Sequence, residues 1–278
     1  MRIKPVYILV SYIVALLFSA DPVSASNYNF GVFPYLPPTK LQQLFYPMAK
    51  DFGSGLKRPV ELSSRNSFEG FSAELDNEQY DIAFVQPFDY LRLSEKRSYL
   101  PLARRGEPLR AVIIVLSESR IKSITGLKGK TLASPPEEAA VSRLATFELK
   151  KHGLESDLDV KRNYTKNHFS CMQQVLIGEA SACVTALQAM AHFEDKEFRS
   201  RFKIIHESPS AANSLFVVHK RVPEKDRAVL RSIITGWHKN PEGRAILKNG
   251  EFAPFIVARD SDYDSLRMIK KSRPKARQ

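Results

Sequence analysis

The 278-residue chain contains only two cysteines, Cys171 and Cys183, and only 12 glycines. Two cysteines are too few to hold a small disulfide scaffold together, so the fold has to rest on a hydrophobic core. Either a disulfide between them or two buried thiols fits the sequence. The few glycines form no phosphate-cradling loop of the kind that nucleotide-binding enzymes use.

Motifs that carry catalysis are also missing. The sequence has no nucleophile elbow, no zinc-protease helix and no pair of carboxylates in a catalytic context. The spacing of His168, Cys171, Cys183 and His192 superficially suggests zinc ligands. However, Cys171 lies on a helical stripe and Cys183 in an apolar strand, where buried thiols are the ordinary explanation. We therefore predict a protein that is not an enzyme and has no metal ion or cofactor.

After the N-terminal segment, no apolar run is long enough to cross a bilayer. At the N-terminus, a short basic start precedes the uncharged apolar run 6-VYILVSYIVALLFSA-20, and small residues follow at 23–25. This pattern is typical of a secretory signal peptide. The alternative is an uncleaved anchor, although the run is shorter than the roughly 20 residues that span a bilayer. We predict a signal peptide over residues 1–25 and a periplasmic protein.

Basic residues outnumber acidic ones: the chain has 42 Lys and Arg but only 30 Asp and Glu, which gives a net charge of +12. Such an excess suits nucleic acid, an anionic membrane surface or an anionic ligand, and export argues against nucleic acid as a partner. Five of the basic residues lie in 270-KKSRPKARQ-278. We interpret residues 266–278 as a solvated basic tail, with contact to anionic lipid as the alternative.

Short β-rich runs alternate with helical stripes, which predicts an α/β fold with mostly parallel sheets flanked by helices. No Gly/Ser-rich linker separates two domains. Instead, two polar stretches each lead into a long apolar strand, at 104-RRGEPLRAVIIV-115 and 206-HESPSAANSLFVV-218. A chain that leaves one lobe, builds a second and returns would have this pattern. We predict lobe 1 over 26–107 plus 212–265, lobe 2 over 108–211, and a cleft between them.

Three segments, in this order, resemble the phosphate/phosphite/phosphonate-binding proteins of ABC importers, a branch of the type II periplasmic binding fold. They are 30-FGVFPYLPPTKLQQLFYPMAKDFG-53, 79-QYDIAFVQPFDYL-91 and 119-SRIKSITGLKGKTLA-133. The resemblance implies two lobes that close around a small oxyanion and present it to an ABC permease. The alternative is a binding module with a diverged ligand that serves a membrane sensor or another periplasmic role.

Strand ends and helix N-termini are where such a fold would hold an anion, because unpaired backbone N–H groups and the helix dipole point there. His168 lies just before a helix, where the resemblance implies a histidine that contacts a ligand oxygen. The other candidates follow strands or lie at positions that the resemblance marks. The predicted ligand-binding residues are His168, Tyr35, Gln86, Tyr90, Ser134 and Asn213.

The sequence departs from the family pattern at 134-SPPEEAAVS-142, where phosphonate binders have a run of hydroxyl side chains. Ser134 and Glu137 predict a capping box that begins a helix with proline at its first position. If Glu137 and Glu138 faced the cleft they would repel a dianion; the alternative is an exposed face. Asn213 cannot neutralise an ammonium group, which disfavours an aminoalkyl phosphonate. The expected ligand is a small oxyanion, and the departure leaves its identity open.

Overall fold

The computed structural model describes residues 27–191 and 196–271. The predicted signal peptide, His192 and residues 272–278 of the basic tail lie outside these described residues. The predicted solvated tail begins too early, because residues 266–271 belong to a helix that buries Leu266. The described strands are β1 Tyr28–Val32, β2 Val60–Ser64, β3 Ile82–Val85, β4 Tyr99–Arg104, β5 Ala111–Leu116, β6 Thr131–Ser134, β7 Lys161–Tyr164, β8 Ala182–Ala186, β9 Phe202–Glu207, β10 Leu215–His219 and β11 Ile256–Val257.

Helices connect most of these strands. They are α1 Pro38–Leu56, α2 Phe68–Asp76, α3 Pro87–Lys96, α4 Ala140–Lys151, α5 His168–Leu176, α6 Leu187–Ala191, α7 Lys196–Ser200, α8 Glu224–Gly236, α9 Pro241–Asn249 and α10 Asp264–Lys271. Short 3-10 turns are also present at Ile124–Leu127, Trp237–Lys239 and Asp260–Tyr263. None of the described helices is long and apolar enough to cross a membrane.

The strands form two sheets, one in each lobe. The first has the order β11-β4-β10-β3-β1-β2 and the second β7-β6-β8-β5-β9. The predicted α/β fold with two lobes is confirmed, but the sheets are mixed rather than mostly parallel. In the first, β1 is parallel to β2 and β3, whereas β10 is antiparallel to β3 and β4. In the second, β5 is likewise antiparallel to β8 and β9.

The mixed pairing follows from how the chain moves between the lobes. Strands β5 and β10 enter their sheets directly from the other lobe and not through a βαβ crossover, the connection that makes neighbouring strands parallel. The two crossing segments, 105–110 and 208–214, lie side by side and are joined by an antiparallel bridge between Leu109 and Ala211. A double connection of this kind holds the two lobes together at one edge of the cleft.

Aromatic side chains dominate the core of the first lobe. The ring of Trp237 stacks on Phe52 with 5.8 Å between ring centroids, and Phe84 packs on Phe216 at 4.9 Å. In the second lobe, Cys171 and Cys183 form a disulfide that joins α5 to β8. The sequence left open a disulfide or two buried thiols, and the structure shows the disulfide. Neither sulfur is therefore available as a zinc ligand.

Gly31 is expected to tolerate no side chain. It lies in β1, where a Cβ atom would stand 2.6 Å from the Cγ atom of the fully buried Tyr80 ring. Since that ring is stacked on Phe71, the strand or the ring would have to move. We expect Gly31→Ala to lower the free energy of unfolding by about 1–3 kcal/mol, the usual cost of overpacking.

Urea unfolding measures the stability of Gly31→Ala, with Gly236→Ala as the control variant. Gly236 ends α8, and nothing lies within 4 Å of a Cβ atom added there. Equal stability of the two variants would contradict the packing of Tyr80 described here.

Candidate ligand-binding site

A cavity of about 40 Å³, partly open to solvent, is lined by residues of both lobes. The first lobe and the crossing segments contribute aromatic and polar side chains, and the second lobe contributes the start of α4, the start of α5 and residues after β8. The lining includes Phe33, Tyr35, Phe68, Gln86, Arg105, Ala139, Ala140, Val141, His168, Gln188, Asn213 and Ser214. Four of the six residues predicted from the sequence, Tyr35, Gln86, His168 and Asn213, therefore share one cavity.

His168 is the first residue of α5, which Asn167 caps by accepting a hydrogen bond from the Ser170 N–H at 3.0 Å. The Asn167 cap places the imidazole at the cavity wall, where its Nδ1 lies 2.9 Å from Oγ1 of Thr185. Burial lowers the pKa of His168 to about 4, because an imidazolium loses its hydration there. At pH 7 the ring is therefore neutral, and it can hydrogen-bond a ligand without adding charge.

Gln86 connects the two lobes. It directly follows β3 in the first lobe, and its Nε2 donates to the carbonyl oxygen of Glu138 at 3.0 Å. Its Oε1 accepts a hydrogen bond from the N–H of Ala140 at 2.7 Å. The amide at the start of α4 is thus satisfied by a side chain from the opposite lobe.

The predicted capping box at Ser134 is not formed. Helix α4 begins at Ala140, and the Ala139 cap has no side-chain hydrogen bond. The physical reason is Pro136, since a residue that precedes proline is disfavoured in the helical region and Pro135 cannot begin the helix. Ser134 is instead buried at the end of β6, where its Oγ accepts a hydrogen bond from Nη2 of Arg162 at 2.6 Å. Ser134 does not line the cavity.

Glu137 and Glu138 are exposed and do not line the cavity. They line an outer depression of about 540 Å³ between the lobes, together with Glu69 and Lys166. Phe68 lines both the depression and the cavity. The two carboxylates therefore lie beside the cavity and not in its lining.

Tyr90 also lies outside the cavity lining. Its hydroxyl donates to Oδ1 of Asp260 at 2.7 Å, and its ring packs 4.8 Å from that of Tyr263. Tyr90 thus anchors a C-terminal segment to α3. Tyr35, in contrast, lines the cavity, and burial raises its pKa, so that its hydroxyl stays protonated.

Arg105 is a cavity residue that sequence reasoning missed. Its buried guanidinium forms an ion pair with Glu107 and stands 4.7 Å from the ring centroid of Phe252. Among the described residues that line the cavity, it is the one that carries a positive charge at pH 7. The available signal was its place in the polar crossing segment 105–110, because both crossing segments border the cleft.

Asn213 lies in the other crossing segment, and its side-chain Nδ2 donates to the carbonyl oxygen of Glu107 at 3.2 Å. Its Oδ1 accepts from the N–H of Ser214 at 2.7 Å. These bonds hold Asn213 at the cavity wall.

Two lobes joined by a double crossing, with a small cavity between them whose apolar walls carry a few polar side chains, define a solute-binding protein. The sequence confirms this class, because residues 30–263 match the family model described as "ABC transporter, phosphonate, periplasmic substrate-binding protein". The chain belongs to this family of substrate-binding proteins, which are not enzymes. No curated protein sequence matches the chain.

Solved structures agree on the fold. PhnD1 from Prochlorococcus marinus, in complex with methylphosphonate, is 15% identical, with a TM-score of 0.81 over 88% of this chain and 97% of that chain. A binding protein component of an ABC phosphonate transporter from Pseudomonas aeruginosa is 16% identical, with a TM-score of 0.80 over 88% and 85%. The aliphatic sulphonate binding protein SsuA from Escherichia coli is 11% identical, with a TM-score of 0.61 over 89% and 92%.

Proposed function

We propose that this protein captures a small oxyanion of the phosphonate kind by closure of lobe 1 (26–107 plus 212–265) on lobe 2 (108–211). The observation that carries the proposal is one small cavity lined by Gln86, His168 and Asn213 from both sides of the cleft. The proposed membrane partner is the ABC permease that the family implies, rather than a sensor. Export by residues 1–25 would bring the protein to the periplasm.

The size of the cavity limits the ligand. A buried water needs roughly 10–15 Å³ of such space, so a cavity of about 40 Å³ suits a ligand of only a few heavy atoms. Phosphate, phosphite, methylphosphonate and short sulfonates are of this size. A longer substituent would have to extend toward the outer depression.

The charges of the site limit the ligand further. His168 is neutral, and the positive charge of Arg105 is balanced by Glu107. In the outer depression, Glu69, Glu137 and Glu138 outnumber Lys166, so the surroundings of the cavity add negative potential. A cavity of this kind stabilises a monoanion through hydrogen bonds, but it offers little compensation for a second negative charge. We therefore infer that the ligand binds as a monoanion.

A preference for a monoanion makes the affinity for methylphosphonate depend on pH. We expect methylphosphonate to bind more tightly at pH 6 than at pH 8, because the fraction of the singly charged ligand rises as the pH falls. His168 stays neutral across this window, since its pKa is about 4. Isothermal titration calorimetry at both pH values is the measurement, and methanesulfonate, which stays a monoanion, is the control. Tighter binding of methylphosphonate at pH 8 would contradict the inference.

A thermal-shift screen across phosphate, phosphite, alkylphosphonates, sulfonates and carboxylates tests the proposed function itself. A ligand at about a hundredfold its dissociation constant adds roughly 2.7 kcal/mol of stability, which is readily seen as a higher melting temperature. We expect at least one small oxyanion to give such a shift. If no oxyanion shifts the melting temperature, the proposed function is wrong.

Replacement of Gln86 tests whether closure supports binding. The variant Gln86→Ala loses two hydrogen bonds between the lobes, each worth about 0.5–1.5 kcal/mol. We expect about a tenfold loss of affinity for the oxyanion that the screen identifies, measured by calorimetry. The control is Gln79→Ala, because Gln79 is an exposed glutamine of the same lobe that precedes β3 and does not line the cavity. Equal affinities of the two variants would remove Gln86 from the closure mechanism.

A further inference from the structure

We propose that Glu148, His152 and His206 form a binding site for a divalent transition metal ion of the zinc class. One donor atom from each of these side chains lies within 4.8 Å of the other two. The set of two imidazoles and one carboxylate is among those that bind Zn²⁺ with a fourth position open to water. The site goes beyond the proposed transport function, which needs no metal ion.

The fold places the three residues together. Glu148 and His152 are four residues apart at the C-terminal end of α4, so they lie on the same face of the helix. His206 lies on β9, the edge strand of the second sheet. A register shift in the β5–β9 pairing falls directly beside it, between the partners of Ile113 and Ile114, and such irregularities re-aim side chains.

The ion pair with His206 accounts for only one of the two oxygens of the buried Glu148 carboxylate. Glu148 is 3% exposed, and its Oε2 lies 3.0 Å from Nε2 of His206. Its Oε1 is also buried, yet it has no hydrogen-bond partner among the described residues. A buried acceptor without a partner is costly. A bound cation would satisfy the oxygen that His206 leaves unpaired.

His152 is oriented as many metal-binding histidines are. Nδ1 of His152 lies 2.8 Å from the backbone carbonyl oxygen of Glu148. A carbonyl only accepts, so Nδ1 carries the hydrogen and Nε2 keeps its lone pair, as in many metal-binding histidines. The rings of His152 and His206 meet edge-on, with 5.0 Å between centroids.

Only a small movement separates this arrangement from a coordination shell. In a tetrahedral zinc site with bonds of about 2.0–2.1 Å, neighbouring ligand atoms are about 3.3 Å apart. His152 is exposed, so its side chain can rotate to bring its donor atom closer. A bound ion would tie the end of α4 to β9, just before the crossing segment 208–214. The start of α4 at Ala140 borders the ligand cavity, about 12 Å further along the helix axis.

Cobalt titration of the untagged, EDTA-treated protein tests the site. We expect one equivalent of Co²⁺ to produce visible absorption bands of a low-coordinate site, and Zn²⁺ to displace the Co²⁺ and raise the melting temperature. His152→Ala is expected to weaken Co²⁺ binding at least tenfold. His238→Ala is the matched control, because His238 is also an exposed histidine but lies in the first lobe, and this variant should bind Co²⁺ as the wild type does.

Two outcomes would overturn the proposal. One is the absence of cobalt bands at saturating Co²⁺. The other is equal binding by the wild type and His152→Ala, which would mean adventitious surface binding only. Glu148→Gln keeps the shape of the buried side chain but removes its charge, and it should also weaken binding. Because His152 is exposed, the metal-free His152→Ala protein should unfold as the wild type does, which separates loss of the site from loss of the fold.

Discussion

Lowering the pH from 7 to 4 is expected to reduce the unfolding free energy of the wild type by about 3 kcal/mol more than that of a His168→Gln variant. Burial lowers the pKa of His168 to about 4 in the folded protein, while the unfolded value is about 6.5. Between these values only the unfolded chain binds the proton. The stability that His168 contributes to the folded protein is therefore fully present above about pH 6.5 and is lost as the pH falls toward 4.

Urea unfolding at pH 7, 6, 5 and 4 measures the contribution of His168. The informative quantity is the difference in unfolding free energy between the wild type and His168→Gln, because the contributions of other groups cancel in it. The exposed His238 provides the matched control, and His238→Gln should follow the wild type at every pH. A difference that does not change with pH would mean that His168 keeps an ordinary pKa and is not buried at the cavity wall.

Loss of the disulfide is the second large effect that we expect. The bond between Cys171 and Cys183 spans 12 positions of the sequence, and closing a loop of this size in the unfolded chain stabilises a fold by about 3 kcal/mol. The double variant Cys171→Ala/Cys183→Ala should be less stable by this amount. Since the disulfide fixes α5 three residues after His168, the variant should also bind the oxyanion more weakly.

Reduction provides the control for the disulfide. Dithiothreitol should lower the unfolding free energy of the wild type toward that of the double variant, and it should leave the double variant unchanged. Urea unfolding with and without the reductant gives both values. A wild type that unfolds at the same urea concentration in either condition would show that the cross-link contributes nothing to stability.

Sequence reasoning predicted the α/β class from alternating strands and helices, and the two lobes from the two polar stretches that each lead into a long apolar strand. It also placed His168 at a helix start, where the neighbouring Asn167 forms the cap. It did not predict the mixed sheets, since strand direction depends on where the chain enters from the other lobe. The start of α4 was also wrong, because the cost of the Pro135–Pro136 pair outweighs the capping signal at Ser134.

The remaining differences at the site come from contacts between distant parts of the chain. Tyr90 was predicted to face the cleft, but its hydroxyl bonds to Asp260, 170 positions away. Ser134 likewise faces Arg162. No pattern near either residue in the sequence predicts these partners. Arg105 was missed because a basic residue in a polar stretch is usually solvated, whereas here Glu107 and Phe252 enclose it.

Small-angle scattering tests the central claim, closure of the lobes around an oxyanion, most directly. The radius of gyration is measured without ligand and with a saturating amount of the oxyanion that gives the largest thermal shift. Closure predicts a smaller radius of gyration when the ligand is bound, and a weaker response of Gln86→Ala at the same ligand concentration. A ligand that binds by calorimetry but leaves the radius of gyration unchanged would contradict the account.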